Sequence, residues 1–368
     1  GVHVYSNDGN LVEAMKMKGV KTLLVSPLKE DVLHKNTEMV NSLIDADISI
    51  MIVRMATEWN LDMPMKTSQL HEVEIEDLLP RNEIHVNLDA VGEMLRDKVI
   101  MITGSAGSIG SEMVRQIAEF GPKELILVDA AETPQHDIRL ELQKKWPKME
   151  AHTIVTNICR KRRMENIFRK YKPEYVFHAA AYKHVPMMED NPTESVQNNI
   201  DGTRNVADLA VKYGVRKFVM ISTDKAVNPT NVMGCSKRIC EMYVQSLDKA
   251  IKDKKMEGVT QFVTTRFGNV LGSNGSVIPL FRTQIKNGGP ITVTHPNIIR
   301  FFMLISEACK LVLEAGTMGH GGEIYVFDMG RPVKIADLAK RMIKLSGAEG
   351  IEIKYTGLRD GEKLYEEV

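Results

Sequence analysis

Val99-Ile100-Met101-Ile102-Thr103 runs without a break into Gly104-Ser105-Ala106-Gly107-Ser108-Ile109-Gly110, and a helical pattern over Ser111–Phe120 follows. Few architectures accept that order. A buried strand, a glycine loop and a helix open a doubly wound α/β fold, in which a parallel sheet carries helices on both faces. Small residues let the backbone approach a pyrophosphate, and the helix start presents N–H groups and a partial positive charge. Gly104, Ser105, Gly107, Ser108, Ile109 and Gly110 are therefore candidate dinucleotide-binding residues. Glycines spaced in threes also make tight turns that bind nothing. The strand before the loop and the helix after it favour the binding reading.

Strand–helix alternation continues from Asp97. Candidate strands are Val99–Thr103, Leu125–Val128, Thr153–Val155, Tyr175–His178, Lys217–Ser222 and Gln261–Arg266, with helical stretches such as Met164–Tyr171 between them. Asp129 closes the second strand, 19 residues after Gly110. A carboxylate there suits the adenosine ribose hydroxyls and repels a 2′-phosphate, which selects NAD over NADP; the alternative is a cap on the next helix. Asn157 and Ile158, read as the end of the third strand, would flank the adenine. Ala179-Ala180-Ala181, after the fourth, offers the cofactor a small-residue surface. Lys183 on the same loop is within reach of cofactor or substrate. Beyond Arg266, Gly/Pro-rich loops alternate with helices such as Ile305–Ala315 and Ile335–Leu345, the pattern of a small C-terminal substrate-binding subdomain.

A smaller N-terminal α/β domain, residues 1–96, precedes this Rossmann-type unit of residues 97–368. Lys21–Val25 and Ile48–Val53 read as buried strands, with an amphipathic helix that includes Met39–Ile44 between them. No glycine fingerprint follows either strand, so an accessory role without cofactor is expected. Ile75–Arg81 reads as a polar link.

At 368 residues, 43% hydrophobic and 26% charged, the chain supports two domains and a sizeable core. A formal net charge of zero gives no electrostatic case for a nucleic-acid partner. No segment has the apolar length to span a bilayer, and no signal peptide is present. The chain starts at Gly1 without a methionine and stops after Val368, so it reads as a fragment. Cys159, Cys235, Cys240 and Cys309 form no Cys-x-x-Cys pair and no zinc-type spacing, so no metal is expected and the thiols read as reduced, as in the cytoplasm. The 22 methionines read as core filler.

Two short segments carry the chemistry. Ser222-Thr223-Asp224-Lys225 follows a strand, where ligands bind in open α/β sheets. Met233-Gly234-Cys235-Ser236-Lys237 comes just after it. A nicotinamide enzyme with a Tyr-x-x-x-Lys pair would use the tyrosine to move a proton. Met233 stands at that position and cannot do so. Asp224 and Lys225 supply an acid and an amine side by side. The alternative for that pair is a solvated turn.

These segments, with Thr103–Gly110, His178–Pro186, Asn198-Asn199, Arg266–Ser273 and Gly357–Lys363, resemble the nucleotide-sugar dehydratases of the extended short-chain dehydrogenase/reductase group. The resemblance covers nearly all of residues 97–368. It is closest to the membrane-anchored polysaccharide-biosynthesis branch, which contains UDP-N-acetylglucosamine 4,6-dehydratases and carries methionine at the position of Met233. Asp360 stands where that family has proline.

The resemblance implies a UDP-sugar substrate and a three-part reaction. C4 is oxidised, water leaves across C5 and C6, and hydride returns to C6. Lys225 would take the C5 proton, Asp224 would protonate the leaving C6 hydroxyl, Thr223 would bond O4, and Lys237 would hold the nicotinamide ribose beside Met233. The proton of the C4 hydroxyl would pass to Asp224, Thr223 or a water. Asn269 would contact substrate phosphate or sugar. The loop through Ser276 would lead to the uridine, Arg300 and Arg359 would clamp the diphosphate, and Glu362 would bind a uridine ribose hydroxyl. A homo-oligomer is expected, with a parent protein anchored at the cytoplasmic face of the inner membrane. A 4,6-dehydratase/5-epimerase, a UDP-sugar 4-epimerase and a catalytically silent NAD-binding module are the other readings.

Overall fold

A computed structural model describes residues 10–26, 32–33, 36–53, 70–72, 86–273 and 275–367. The link read over Ile75–Arg81 lies outside the described residues. The chain divides into two compact units. One comprises Gly1–Asn82, Val277–Ile298 and Gly330–Thr356, and the other Glu83–Ser276, Ile299–Met329 and Gly357–Val368.

The larger unit is built on seven strands: β1 (Val99–Thr103), β2 (Glu124–Asp129), β3 (Ala151–Val155), β4 (Tyr175–His178), β5 (Lys217–Ile221), β6 (Gln261–Arg266) and β7 (Ile324–Val326). Their spatial order is β3-β2-β1-β4-β5-β6-β7, with every pair parallel. The order reverses between β1 and β4. Connections leave those two strands in opposite directions and open a crevice at their C-terminal ends, where ligands bind in sheets of this kind.

The strands are near-continuous apolar runs because both faces are covered. Side chains alternate across the sheet, so Ile100 and Ile102 enter one core while Met101 enters the other. The first core takes Leu125, Leu127, Phe177, Val219 and Val263 from the sheet, and helices Ser108–Glu119 and Ile305–Met318 supply Val114, Ile117, Val312 and Leu313. The second takes Ile126, Val176, Phe218 and Phe262, with helices Lys161–Tyr171, Gly202–Lys212 and Val232–Lys252 over them. Met101, Met113, Met164 and Met220 are wholly buried, as core filler.

Several boundaries differ from the sequence reading. The first helix begins at Ser108, inside the glycine loop, rather than at Ser111. β3 ends at Val155, so Asn157 and Ile158 lie in the turn beyond it rather than at its end. β7 has no sequence counterpart: three residues between Gly321-Gly322-Glu323 and a loop are too short for periodicity to mark. Helix Leu88–Leu95 falls in the larger unit, on the far side of the expected boundary after residue 96, because Val91 and Leu95 are buried in its first core.

In the smaller unit Thr22–Val25 pairs in parallel with Ser49–Val53, and the latter pairs antiparallel with Leu70–Glu72. Val40, Leu43, Ile48 and Ile50 form its core, against which Leu345 packs. Ile291–Val293 and Ile353–Tyr355 make a separate parallel pair.

Candidate active site

The glycine loop closes directly on the switch point. Gly104 has φ +70°, and a Cβ there would lie 2.6 Å from the backbone nitrogen of Ala180. A Cβ on Gly110 would lie 2.0 Å from the Gly104 carbonyl oxygen. Both positions therefore require glycine, one for its conformation and both for close approach. Ser105 is buried beneath the loop and donates to Gln135 Oε1 at 2.9 Å, while Gln135 Nε2 donates to the Leu127 carbonyl at 2.7 Å. Its role is to anchor the loop. The helix that follows has Gly107 as its N-cap and no side-chain cap, which leaves that end to a ligand's oxygens.

Asp129 does more than end a strand. Its carboxylate accepts the Ala106 N–H at 2.9 Å and the Ala131 N–H at 2.9 Å. It thus ties the glycine loop to the start of the next helix. Each oxygen retains a lone pair for a hydroxyl donor. Asn157 turns back to accept the Cys159 N–H at 2.7 Å, and Ile158 is buried beside Gly202.

Polar contacts buried beneath the crevice hold β1 and β4 together. His178 Nδ1 lies 2.7 Å from Thr103 Oγ1, and its Nε2 lies 2.9 Å from Thr203 Oγ1. Complete burial, with the nearby Lys237 charge, pushes His178 down to about 3. Lys237 is 5% exposed, and burial lowers its pKa against the opposing pull of Cys240 and Glu241. Among the described residues it makes no ion pair. A buried amine of this kind fits ribose hydroxyls as acceptors, as the glycine cradle fits a pyrophosphate. The residues present therefore suit a dinucleotide.

Asn199, in the π-helical segment Val196–Asp201, fixes the loop after β4. It accepts the Tyr182 N–H at 2.8 Å and donates to the Tyr182 carbonyl at 3.0 Å and to Ser236 Oγ at 3.0 Å. Ala179, Ala180 and Ala181 are held between β4 and this clasp, while Lys183 stands exposed.

Beyond β5 the chain makes a single 3-10 turn, Asp224–Ala226. The turn brings Lys225 Nζ to 3.0 Å from Asp224 Oδ1, and Thr223 Oγ1 donates to the same oxygen at 2.8 Å. Asp224 is 3% exposed. The turn is fixed from three sides. The Asp224 N–H donates to the Phe267 carbonyl at 3.1 Å. Ser222 donates to the buried Glu241 at 2.7 Å, which also accepts Arg266 Nε at 2.7 Å. A Cβ on Gly234 would lie 2.2 Å from the Lys225 carbonyl oxygen, so helix Val232–Lys252 starts hard against the turn. Met233, in that first turn, is 3% exposed.

Asn269 opens a short strand, Asn269–Leu271, that pairs in parallel with Phe302–Leu304. Its Oδ1 lies 3.3 Å from Lys225 Nζ, so it belongs to the acid–amine group. Arg300 is 8% exposed and donates to the carbonyls of Ile299, Lys363 and Leu364 at 2.7, 2.8 and 3.2 Å. It also pairs with Glu362 at 3.4 Å and Glu366 at 3.7 Å. Arg359 is exposed, and its backbone N–H donates to Glu362 at 3.2 Å. The Ser276 hydroxyl is buried, with no hydrogen-bond partner among the described residues.

The structure thus gathers Thr223, Asp224, Lys225 and Asn269 into one cluster. Arg300 and Glu362 join it through Glu366, and Arg359 follows in the same segment. Glu366, Asn199, His178 and Glu241 escaped sequence reasoning as site residues. Their roles depend on partners 17 or more residues away, and a single charged or amide residue carries no local signal.

Fold and crevice together define a Rossmann-type nucleotide-binding protein with an acid–amine pair at the mouth of its sheet. The chain belongs to the polysaccharide biosynthesis protein family, which matches residues 100–368. It is 50% identical over 83% of its length to the capsular polysaccharide biosynthesis protein CapD of Staphylococcus aureus, and it spans half the length of that relative. It is 38% identical to a UDP-glucose 4-epimerase of Rickettsia canadensis, over 74% of this chain and 78% of the relative. Among solved structures it is similar to Pen from Bacillus thuringiensis, at 35% identity and a TM-score of 0.69, over 74% of this chain and 82% of that one.

Proposed function

We propose that this chain is the catalytic part of an NAD-dependent nucleotide-sugar 4,6-dehydratase of surface-polysaccharide synthesis, acting on UDP-N-acetylglucosamine. The observation that carries the reading is the partly buried Asp224–Lys225 contact of 3.0 Å at the C-terminal mouth of the sheet, beside a dinucleotide crevice. A redox step alone needs no such acid–amine pair; an elimination needs both.

The cofactor reading rests on the glycine cradle, the uncapped helix start, Asp129 for the adenosine ribose and buried Lys237 for the nicotinamide ribose. NAD, when bound, supplies hydride uptake from C4 of the sugar and its return to C6, and the O4 proton passes to Asp224, Thr223 or a water as C4 is oxidised. Thr223 then holds O4. The C4 ketone acidifies the C5 hydrogen, and the Lys225 amine, when neutral, takes that proton. Asp224, when protonated, gives its proton to the departing C6 hydroxyl, and water leaves. Lys225 returns a proton to C5 as C6 is reduced. Arg300 and Arg359 bind the diphosphate, Glu362 the uridine ribose, and Asn269 and Lys183 the sugar side of the substrate. Ser276 stands at the uridine end. Asn157 and Ile158 would flank the adenine of the cofactor, and Ala179, Ala180 and Ala181 would offer the cofactor a small-residue surface.

The reading includes a homo-oligomer, supported by the exposed apolar residues Ile239 and Met242 on helix Val232–Lys252. It also includes a longer parent at the cytoplasmic face of the inner membrane. Among the described residues no helix is long and apolar enough to cross a membrane.

A 4-epimerase is the second reading, favoured by the similarity to the rickettsial epimerase. Incubation with UDP-N-acetylglucosamine and NAD, followed by mass spectrometry and NMR of the sugar, separates the two. Loss of one water without net NADH supports dehydration. Unchanged mass with inversion at C4 would make the protein an epimerase, and inversion at C5 with loss of water would make it a dehydratase/5-epimerase.

A further inference from the structure

Lys225 has a second carboxylate. Glu366 Oε1 lies 3.7 Å from Lys225 Nζ and 3.7 Å from Arg300 Nη2, and its side chain is 5% exposed. Asp224 approaches the amine at 3.0 Å and Asn269 at 3.3 Å. The buried chain of charge therefore runs Asp224, Lys225, Glu366, Arg300, Glu362. Lys363 and Glu367, the neighbouring charged pair, bond to each other at 3.3 Å and stand outside it. A buried carboxylate is costly unless it is paired, so Glu366 is held between two cations and fixes both in turn.

We infer that Glu366 is a positioning residue for the proposed base, holding the Lys225 amine at Asp224 and Asn269 and tying it through Arg300 to the segment Arg359–Glu366. The inference rests on the dehydratase reading for its consequence in turnover, and on geometry alone for its effect on Lys225. Arg300 already donates to three backbone carbonyls, which keeps the far end of the chain of charge fixed. Loss of the Glu366 charge removes one of the two carboxylates that face the Lys225 amine. The amine is then freer to leave Asp224.

The test compares wild-type protein with E366Q and E366D. Lys225 is acylated with an amine-directed succinimidyl ester across a pH series and followed by peptide mass spectrometry, with the exposed Lys249 as internal reference. At a fixed pH, E366Q is expected to raise Lys225 acylation about threefold, because the amine loses one of its two carboxylate partners. Lys249 is unmoved, and E366D lies closer to wild type. With UDP-N-acetylglucosamine in deuterated water, E366Q is expected to form reduced nicotinamide at the wild-type rate and to exchange the C5 hydrogen at least about tenfold more slowly. An unchanged Lys225 profile in folded E366Q overturns the inference. If E366Q does not fold, E366M takes its place, and an unchanged Lys225 profile in folded E366M does the same. Absence of reduced nicotinamide in the wild-type protein would sink the dehydratase reading instead, and the acylation arm would still decide the role of Glu366.

Discussion

The amine of Lys225 and the carboxylate of Asp224 are neighbours in sequence and 3.0 Å apart in space. Consecutive side chains in an extended strand point to opposite faces. The 3-10 turn that begins at Asp224 removes that constraint, and Thr223 caps it by accepting the Lys225 N–H at 3.4 Å. The proposed elimination needs an acid and a base this close, acting on adjacent carbons of one substrate.

Replacing Lys225 with Met keeps the bulk of the side chain and removes the amine. Dehydration is expected to fall about 10²–10⁴-fold. Single-turnover formation of reduced nicotinamide, which precedes proton removal, should persist. Stopped-flow absorbance and product mass read the two steps separately. Equal loss of both would place Lys225 in the redox step.

Asp129→Ala removes the acceptor that ties Ala106 to Ala131 as well as the proposed ribose contact. NAD affinity is expected to drop about tenfold, equivalent to about 1.4 kcal/mol, and preference over NADP should narrow. Titration calorimetry with both dinucleotides checks it. Unaltered discrimination would show that Asp129 acts on the loop alone.

Gly234→Ala puts a methyl group 2.2 Å from the Lys225 carbonyl oxygen. Backbone must move, at a cost of about 1–3 kcal/mol in stability. The displacement falls on the turn that holds Asp224 and Lys225, so kcat should fall further than substrate affinity. A urea melt and a kcat against KM comparison test this. A gain in stability, as expected for alanine in an unobstructed helix, would contradict the packing.

His178 is held neutral in the folded protein, with its pKa lowered to about 3 from an ordinary value of 6.5. Below the ordinary value the unfolded chain binds a proton that the folded one refuses, so stability rises with pH across the window between the two. Between about pH 6.5 and about pH 5 the loss on acidification amounts to about 2 kcal/mol. Urea unfolding at both pH values should show it in wild type and a smaller loss in His178→Gln. Equal losses would mean that other groups carry the acid sensitivity.

The cofactor half of the site was legible because it is local. The order of strand, glycines and helix is written within twelve residues, Val99–Gly110, and β1, β4 and β6 match their sequence boundaries. Asp224 and Lys225 were legible for the same reason, being adjacent and just past a strand. Arg266 shows the limit. It was visible as part of a motif, but its partner Glu241 lies 25 residues earlier on a helix, and nothing in either neighbourhood announces the pair. Arg300 is similar: expected as a phosphate ligand, it is already surrounded by three carbonyls and two carboxylates.

The sequence by itself determined the layered fold, the place of the dinucleotide crevice and the chemical identity of the acid–amine pair. Hydrophobic periodicity and glycine spacing act over a single element, and the code for them is short-range. Only the tertiary structure decided the rest: that β7 completes the sheet, that Asn199 clasps the loop after β4, and that Glu366 stands between Lys225 and Arg300. Those contacts join segments 17 to 141 residues apart. They form because charged and amide groups, once buried, must find partners wherever the fold brings them.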